Sequence, residues 1–388
     1  MLKKEFLLLF LLFLLTGCCY TKDNKVNNSI SNDEKKNIND TDEIIREEKE
    51  LINDKINSMT LDEKIGQMII TGFDGSEYND DMDRLINEYK VGGVILFARN
   101  IEDSSQMIEL TRALQENNNN IPLFISIDEE GGRVSRLPED IEKFPAAFDI
   151  GLINNDQTAY ENGKEIGYTL KRLGINLDYA PVLDIYSNLN NTVIGDRAFG
   201  TEESIVSKMG IATMKGIEDA GVIPVIKHFP GHGDTEVDSH YGLPIVYKTL
   251  EELRNFEFIP FVKAIKNGCD VIMVSHIILN EIDSSNPSSL SKIVINDILR
   301  RDMNFDKVVI TDDMAMGAIT SIMSIEEACI RSIKAGCDIL LLGNAYEEIE
   351  QVIDSIKLKI YNGEISEEHI NKSVNRILEL KEKYNVME

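Results

Sequence analysis

Eight short runs of apolar residues recur along the chain from Met68 onward, and longer stretches with helical spacing of apolar residues lie between them. Most of the runs are continuously apolar rather than alternating, which is typical of parallel strands that are covered on both faces. The pattern therefore predicts an α/β fold. The predicted strands are Met68–Thr71, Gly93–Phe97, Leu123–Asp128, Leu177–Asp184, Pro224–His228, Val271–His276, Val308–Asp312 and Ile339–Gly343.

The stretches between the predicted strands carry signals for helix formation. Thr60 with Glu63 and Ser324 with Glu327 have the spacing of capping boxes, in which each side chain bonds the backbone N–H of the other residue. Strands and helices thus alternate along the chain. Further predicted helices are Ile101–Gln115, Leu250–Lys266, Glu347–Lys359 and Glu367–Tyr384.

This alternation predicts a single catalytic domain, residues 49–388, with the fold of a (β/α)8 TIM-type barrel. A doubly wound open sheet is the main alternative, but no glycine-rich phosphate-binding turn opens a first βαβ unit. The sequence of this part contains no internal repeat and no break rich in proline and glycine that would divide it.

The first residues have the features of a targeting segment. Two lysines precede an uninterrupted run of ten Leu and Phe residues, Phe6–Leu15. As a helix this run spans about 15 Å, half of a bilayer core, which fits a signal peptide better than a membrane-spanning helix. Leu15–Cys18 resembles the bacterial lipobox, so we expect residues 1–17 to be a lipoprotein signal peptide and Cys18 to carry a lipid anchor. A plain secretory signal with an incidental cysteine is the alternative.

Residues 18–48 are rich in Asn, Asp, Lys, Ser and Glu and have almost no aromatic side chains. Such a stretch cannot bury enough apolar surface to offset the entropy lost on ordering, so it is predicted to be a flexible tether. A charged, solvated helix is the alternative near residues 43–57. The expected location is extracytoplasmic, at the cell membrane through the N-terminal lipid anchor.

The composition excludes several classes of protein. The 388 residues include 40 Lys and Arg against 67 Asp and Glu, which gives a formal net charge of −27. Because phosphate backbones are bound by basic surfaces, this balance argues against a nucleic-acid partner. The five cysteines are too few for a disulfide scaffold. Cys269, Cys329 and Cys337 stand in apolar sequence and are predicted to be buried thiols.

Polar residues stand at the ends of five predicted strands. A single polar residue at a strand end is usually a cap or a turn residue. The C-terminal ends of barrel strands, however, form one face on which active sites are built, so charged or imidazole groups at several of them predict a site. These residues are Asp128, Asp184, Lys227, His228, His276, Asp312 and Asp313.

A histidine-rich segment coincides with the end of the fifth predicted strand. From Lys227 to His240 the chain contains three histidines and two aspartates besides Lys227, a combination that could bind a metal. Pro230 and Gly231 separate the first two histidines, so these cannot share a helix face as the histidines of an HExxH motif do. We therefore expect neither a metal nor an organic cofactor.

An organic catalytic loop fits the same segment better. Lys227 and His228 would point into the pocket, and the loop would present Asp238 and His240. An Asp two residues from a His can hold one ring nitrogen and free the other for proton transfer. A loop of solvated charges is the alternative interpretation.

The strand Val308–Asp312 delivers a carboxylate to the same face. Asp312 could act as a nucleophile or could stabilise an oxocarbenium ion. Asp313 follows directly, and adjacent residues of a strand point to opposite sides, so the two carboxylates need not share a site. Taken alone, the two acids could equally bind a metal.

Together the two segments resemble glycoside hydrolase family 3, and within it the bacterial β-N-acetylhexosaminidases, from about Thr60 to Ala345. The Lys-His-Phe-Pro-Gly-His-Gly-Asp-Thr stretch and the Asp-Ser-His stretch after it carry most of the resemblance. The resemblance implies a barrel that acts on a carbohydrate substrate. Further matching strings are Val91–Phe97, Ile127–Val134, Ala180–Asp184 and Asp196–Phe199.

The resemblance also implies roles for individual residues. Asp312 matches the nucleophile, whereas Asp238 and His240 match a dyad whose imidazole is the general acid/base. Most retaining glycosidases use two carboxylates for these tasks. Lys227 and Arg197 are expected to favour the ionised form of Asp312. Residues expected to bind the substrate are Asp128, Arg136, Arg197, Lys227, His228 and Met273, with His276 as a further lining residue.

The implied activity is that of a retaining, exo-acting β-N-acetylhexosaminidase that removes terminal β-linked N-acetylglucosamine from peptidoglycan fragments or chitooligosaccharides. Alternatives are a phosphorylase or a β-glucosidase of the same family and a catalytically inactive wall-binding lipoprotein. The sequence departs from the family at Asn304 and Lys307, where glycines are frequent. It ends soon after the last predicted strand, so we expect the subgroup with a single domain.

Overall fold

The computed structural model describes residues 47, 49–235 and 242–387. Ile52–Glu388 forms one compact unit. The predicted signal peptide, Cys18 and all but one residue of the predicted tether lie outside the described residues. Among the helices that the structure describes, none is both long and apolar enough to cross a membrane.

Eight parallel strands close into a barrel, which confirms the predicted TIM-type fold. Around the barrel the strand order is β1–β10–β9–β7–β5–β4–β3–β2, whereas β6 and β8 pair with each other in a separate parallel sheet. The bounds are β1 Ile69–Thr71, β2 Gly93–Leu96, β3 Phe124–Ile127, β4 Leu177–Asp178, β5 Ile223–Phe229, β6 Ile245–Val246, β7 Val271–Val274, β8 Ile278–Leu279, β9 Val308–Asp313 and β10 Ile339–Leu342.

The fourth barrel strand is shorter than the predicted Leu177–Asp184, because its regular pairing covers only two residues. Pro181 has no N–H to donate, but its carbonyl accepts from the Lys227 N–H at 3.2 Å. The N–H of Leu183 donates to the Lys227 carbonyl at 2.6 Å. The segment after β4 therefore follows β5 irregularly and still reaches the C-terminal face of the barrel.

Helices alternate with the strands. The predicted capping box of Thr60 and Glu63 is present in both directions, and at Ser324 the side chain accepts from the Glu327 N–H, which is one half of the predicted box. The bounds are α1 Leu61–Gln67, α2 Asp80–Asp83, α3 Ser104–Glu116, α4 Ala147–Ile153, α5 Asp156–Arg172, α6 Glu203–Asp219, α7 Leu250–Asn255, α8 Phe258–Lys266, α9 Gly317–Thr320, α10 Ile325–Ala335, α11 Ile349–Tyr361 and α12 Glu367–Lys383, with π-helical segments at Arg84–Glu88 and Ile293–Asp302.

The predicted helix Leu250–Lys266 is two helices, α7 and α8. The chain turns at Phe256, whose φ of −144° and ψ of −79° are not helical. Pro260 gives the reason, because in a continuous helix it would lack the N–H that bonds the Phe256 carbonyl, whereas the first turn of a helix tolerates proline. The break leaves Glu257 at the N-cap of α8, where its side chain is buried.

The core has two layers, as parallel strands that are covered on both faces require. On β7, Val271 and Met273 belong to one buried cluster, whereas Ile272 and Val274 belong to another that includes Phe258 of α8. Adjacent strand residues point to opposite faces, so the first pair fills the barrel interior and the second packs against the helices. The three cysteines predicted to be buried thiols are indeed buried and free.

Candidate active site

Polar side chains from strands that are not neighbours meet at the C-terminal face of the barrel. The Nζ atom of Lys227, on β5, lies 2.7 Å from Oδ1 of Asp128, directly after β3. The side chain of Lys227 is 2% exposed, whereas that of Asp128 is 22% exposed. This ion pair therefore joins a buried cation to a carboxylate that reaches solvent.

Glu130 lies at the centre of this cluster, although the sequence analysis did not single it out. Its Oε1 atom lies 2.7 Å from Lys227 Nζ and 2.8 Å from Arg197 Nη2, and its Oε2 accepts from Arg197 Nε at 2.8 Å. Burial alone would raise the pKa of Glu130, but the charges of Arg197 and Lys227 outweigh it and hold the pKa well below its ordinary value. A buried carboxylate thus orients both cations.

A hydrogen-bonded chain links this cluster to the segment after β4. His228 Nδ1 lies 2.6 Å from Asp184 Oδ2, and its Nε2 lies 3.2 Å from Arg197 Nη2. Because an arginine can only donate, Nε2 accepts and the proton of the imidazole is on Nδ1, where it is donated to Asp184. Burial opposes ionisation of Asp184, but the imidazole of His228 and the neighbouring His232 lower its pKa below the ordinary value.

The turn after β5 is fixed by the same segment. The backbone N–H of His232 donates to Asp184 Oδ1 at 2.6 Å, and its carbonyl accepts from Asn191 Nδ2 at 2.8 Å. His232 Nδ1 lies 2.8 Å from Thr235 Oγ1. Burial lowers the pKa of His232. The turn that contains Pro230 and Gly231 is therefore a firmly bonded part of the site.

The two adjacent acids at the end of β9 have different surroundings, as predicted. Asp313 accepts from the N–H groups of Ala315 and Gly343 at 3.1 and 3.0 Å and from Asn344 Nδ2 at 3.0 Å, which is a structural role. Asp312 accepts from the Asp313 N–H at 2.8 Å. Asp312 is therefore the acid of this pair that is available for chemistry.

The pKa of Asp312 lies below its ordinary value. Burial opposes this, but the imidazoles of His276 and His228, the N–H of Asp313 and the ammonium of Lys227 outweigh it. The expected contribution of Lys227 is thus present, after those of the two imidazoles and of the Asp313 N–H. The guanidinium of Arg197 is engaged by Glu130, to whose Oε2 its Nε donates at 2.8 Å.

His276, at the end of β7, is held in one orientation. Its Nε2 lies 3.0 Å from the Asp313 carbonyl, and its Nδ1 lies 2.7 Å from Ser289 Oγ. A carbonyl can only accept, so the proton is on Nε2, and Nδ1 accepts from the serine hydroxyl. Burial lowers the pKa of His276. The imidazole therefore lines the site in a fixed orientation.

The site residues lie in a part of the chain that matches a known protein family. Residues 60–380 match the Glycosyl hydrolase family 3 N terminal domain. The chain belongs to glycosyl hydrolase family 3. All the site residues described above lie within this matched range.

Named members of the family include β-hexosaminidases. The chain is 35% identical over 329 residues to Beta-hexosaminidase A of Pseudoalteromonas piscicida, covering 78% of this chain and 55% of that protein. It is also 35% identical over 285 residues to Beta-hexosaminidase of Thiobacillus denitrificans, covering 72% of this chain and 79% of that protein. The chain thus spans little more than half the length of the first relative.

A solved structure of the family has the same fold. The glycoside hydrolase family 3 β-N-acetylglucosaminidase from Paenibacillus sp. str. FPU-7 matches with a TM-score of 0.83 at 39% identity, covering 85% of this chain and 63% of that chain. The closed barrel and the glycoside hydrolase family assignment therefore agree.

Two further residues expected to bind the substrate of this family 3 protein, Met273 and Arg136, have other contacts. Met273 is 3% exposed and packs in the barrel interior. The backbone N–H of Arg136 donates to Glu129 Oε2 at 3.0 Å, and its guanidinium Nη1 lies 3.5 Å from the Ser135 carbonyl. Their contacts with a sugar stay predictions.

The predicted acid/base dyad, Asp238 and His240, lies outside the described residues, as does the rest of 236–241. The chain leaves the described part at Thr235 and returns to it at Gly242. Within residues 49–235 and 242–387, no group of three His, Cys, Asp or Glu side chains is close enough to hold a metal ion.

Proposed function

We propose that the protein is a retaining, exo-acting β-N-acetylhexosaminidase. Its proposed substrates are peptidoglycan fragments or chitooligosaccharides, from which it removes terminal β-linked N-acetylglucosamine. The observation that carries the proposal is the half-buried carboxylate of Asp312, which lies at the C-terminal end of β9 in a family 3 barrel and whose pKa is lowered by the imidazoles beside it. The β-hexosaminidases among the relatives support the substrate class.

The charged cluster is proposed to hold the sugar at its non-reducing end. Asp128, Arg197, Lys227 and His228 are each oriented by a protein partner, so little ordering entropy is lost when a sugar binds. A sugar hydroxyl both donates and accepts, which suits a site where carboxylates accept and cations donate. The exposed part of Asp128 is the first acceptor that an entering hydroxyl would meet.

The proposed reaction has two steps. Asp312 attacks the anomeric carbon while His240, oriented by Asp238, protonates the leaving oxygen, so the glycosidic bond breaks and a glycosyl ester of Asp312 forms. His240 then takes a proton from water, which attacks the same carbon and releases the carboxylate and the sugar with retained configuration. The lowered pKa of Asp312 keeps the nucleophile ionised at neutral pH.

The decisive experiment compares two aryl substrates with the purified full-length chain in detergent. Release from an aryl N-acetyl-β-glucosaminide should exceed release from the aryl β-glucoside and should not depend on phosphate. Proton NMR of the first-formed sugar should give the β anomer. Phosphate dependence with a sugar 1-phosphate product would instead indicate a phosphorylase, preference for the glucoside a β-glucosidase, and no release a binding protein.

The location is a separate proposal that rests on the sequence alone. Lipidation of Cys18 would hold the enzyme at the outer side of the cell membrane, close to the wall. Mass spectrometry of the protein from the membrane fraction should show an N-terminal lipopeptide that begins at Cys18. A Cys18→Ala variant should lose that mass and leave the membrane fraction, and an unchanged distribution would contradict the anchor.

A further inference from the structure

A chain of hydrogen bonds leads from the loop after β8 to the end of β9. Ser289 Oγ lies 2.7 Å from His276 Nδ1, and His276 Nε2 lies 3.0 Å from the Asp313 carbonyl. The backbone N–H of Asp313 in turn donates to Asp312 Oδ1 at 2.8 Å. One serine hydroxyl is therefore connected to the proposed nucleophile through a single imidazole and the backbone of the neighbouring residue.

The imidazole of His276 continues the contact between β7 and β9 at the point where their regular pairing ends. The two strands are in register as far as Val274 and Thr311. Asp312 and Asp313 extend β9 beyond this point. There the Nε2–H of His276 donates to the Asp313 carbonyl, so a side chain supplies the donor that a backbone N–H supplies within the ladder. On the side of β7, the imidazole thus holds the end of β9.

The hydroxyl that orients this imidazole lies on a firmly bonded part of the fold. Ser289 is fully buried. Its N–H donates to the Ser275 carbonyl at 3.2 Å, and its carbonyl accepts from Ser332 Oγ, on α10, at 3.0 Å. The backbone of Ser289 is therefore bonded both to the end of β7 and to a helix, so its hydroxyl approaches His276 Nδ1 from a fixed direction.

The orientation of His276 depends on both of its hydrogen bonds. The ring is fully buried, and a buried nitrogen without a partner is unfavourable. Without the hydroxyl of Ser289, Nδ1 would lose its donor, and a turn or shift of the ring towards another donor would release the Asp313 carbonyl. Burial raises the pKa of Asp312, and His276 is the first of the groups that outweigh this effect, so the ring lies close to the carboxylate as well.

Ser288 provides a matched comparison. It is as fully buried as Ser289, but its hydroxyl donates to the Ile277 carbonyl at 2.7 Å, which also accepts from the Ser288 N–H at 2.8 Å. Two adjacent buried hydroxyls thus bond different groups, one a backbone carbonyl and the other the imidazole beside Asp312. Loss of either hydroxyl should affect stability, whereas only the loss of that of Ser289 should reach the nucleophile.

We propose that Ser289 is a positioning residue for Asp312: its hydroxyl fixes the imidazole of His276, and the imidazole holds the end of β9 so that the carboxylate stays in place for attack. This inference rests on the proposed function. It assigns to Ser289 an effect on the nucleophilic step rather than on sugar binding, since the cluster proposed to hold the sugar lies elsewhere, around Lys227. Displacement of a catalytic group by about 1 Å can cost about a hundredfold in rate.

The kinetic test uses an activated substrate and the purified full-length chain in detergent. A 2,4-dinitrophenyl N-acetyl-β-glucosaminide needs no proton on its leaving oxygen, so its kcat/KM reports the attack of the nucleophile. For Ser289→Ala, kcat/KM should fall about ten- to a hundredfold, whereas the inhibition constant of N-acetylglucosamine should change less than about twofold. Ser288→Ala should change neither quantity.

A spectroscopic test observes the imidazole directly. The protein contains five histidines, so ¹⁵N labelling of histidine gives few signals, and that of His276 is the one that His276→Gln removes. In the unmodified protein its Nδ1 should have the shift of a hydrogen-bonded acceptor. This shift should change in Ser289→Ala and stay the same in Ser288→Ala. An unchanged His276 signal in Ser289→Ala would contradict the proposal.

Two further variants separate this inference from the proposed function. Asp312→Asn should lower the same kcat/KM at least about a thousandfold, and if it does not, the proposed nucleophile is wrong. If it does, the role of Ser289 is wrong should Ser289→Ala behave like Ser288→Ala, weaken sugar binding in parallel, or add its full loss to that of His276→Gln. If Ser289→Ala fails to fold, Ser289→Cys keeps the shape with a weaker donor and must show the same selective loss.

Discussion

Both ends of the barrel bury charged side chains, but they use them differently. At the N-terminal end, Asp338 is fully buried and accepts from Arg300 Nη2 at 2.5 Å, Arg376 Nη1 at 2.9 Å and Ser373 Oγ at 2.8 Å. At the C-terminal face, the cluster around Glu130 also consists of ion pairs, but it includes Asp128, which reaches solvent. One end is closed by its own protein partners, and the other has polar atoms available to a ligand.

Lys381 is a second buried charged residue at the N-terminal end whose polar atoms are all bonded by the protein. Its Nζ donates to Gln67 Oε1 at 2.8 Å and to the carbonyls of Gly92 and Pro122 at 2.9 and 2.7 Å. Burial lowers the pKa of Lys381 well below its ordinary value. The three acceptors match the three N–H groups of its protonated form. A buried charged group with a shifted pKa is therefore not by itself a sign of function. A ligand can bind only where a polar atom of the cluster reaches solvent, as that of Asp128 does.

The largest effect is expected at Asp312, the proposed nucleophile. Asp312→Asn should lower kcat/KM by at least about a thousandfold because the covalent step is lost. The adjacent Asp313→Asn is the matched control, since its oxygen can still accept from the two backbone N–H groups, and it should keep most of the activity. Steady-state kinetics on the aryl N-acetylglucosaminide test this. Equal losses in the two variants would contradict the assignment.

Glu130→Gln should affect stability and activity together. The neutral amide leaves Arg197 and Lys227 buried with one carboxylate fewer, which should cost about 3 kcal/mol in the free energy of unfolding. Asp338→Asn at the opposite end should cost a similar amount. Urea unfolding and kinetics distinguish the two ends: kcat/KM should fall only in the Glu130 variant. A normal kcat/KM there would remove Glu130 from the site.

Lys381→Met should destabilise the protein without changing catalysis. Loss of the ammonium leaves two buried carbonyls and an amide oxygen without their donor, at a cost of about 2 kcal/mol. Lys372→Met, on the exposed side of the same helix, serves as the control and should have no measurable effect. The free energy of unfolding from urea titration and kcat/KM are measured on both. A change in kcat/KM for Lys381→Met, with stability preserved, would break the distinction between the two ends.

The smallest effect is expected at Asp178, a buried acid of β4 whose two carboxyl oxygens share a single hydrogen-bond donor among the described residues. Its Oδ1 accepts from the Glu129 N–H at 3.0 Å, whereas Oδ2 is buried with no partner among the described residues. Burial raises the pKa of Asp178 well above its ordinary value. Between the ordinary pKa and the raised pKa, the folded protein therefore keeps a proton on Asp178 that the unfolded chain releases. The free energy of unfolding consequently falls as pH rises through this range.

Asp178→Asn removes that titration. Relative to the unmodified protein, the variant should gain stability as pH rises, by up to about 1 kcal/mol. Urea titrations at pH 5 and pH 8 measure the difference. A difference in the free energy of unfolding that is the same at both pH values would show that Asp178 does not titrate in this range.

Much of the architecture could be predicted from the sequence because parallel strands that are covered on both faces consist of consecutive apolar residues. All eight barrel strands were located, and the convergence of Asp128, Lys227 and His228 followed from the shared direction of the strands. The break at Phe256 was missed because the apolar spacing on either side of it is helical. Only the position of Pro260 in the first turn of α8 carried the signal.

The arrangement inside the site was less accessible to prediction. Glu130 lies beyond the end of β3 and pairs with Arg197, 67 residues away, so no local pattern reveals the pair. The run Asp128–Glu130 was the only signal. For the same reason, the pairing of Arg197 with Glu130 could not be predicted, since motif matching does not say which acid a cation binds. The roles of Asp238 and His240 stay predictions.

The contact of Lys381 with the Gly92 carbonyl joins residues that are 289 positions apart in the chain. During synthesis, the first three strands of the barrel leave the ribosome long before the helix that supplies this ammonium group. The last strand, β10, which pairs with β1, also emerges late. The nascent chain must therefore expose unpaired strand edges until translation is nearly complete, and such edges promote aggregation until β10 closes the barrel.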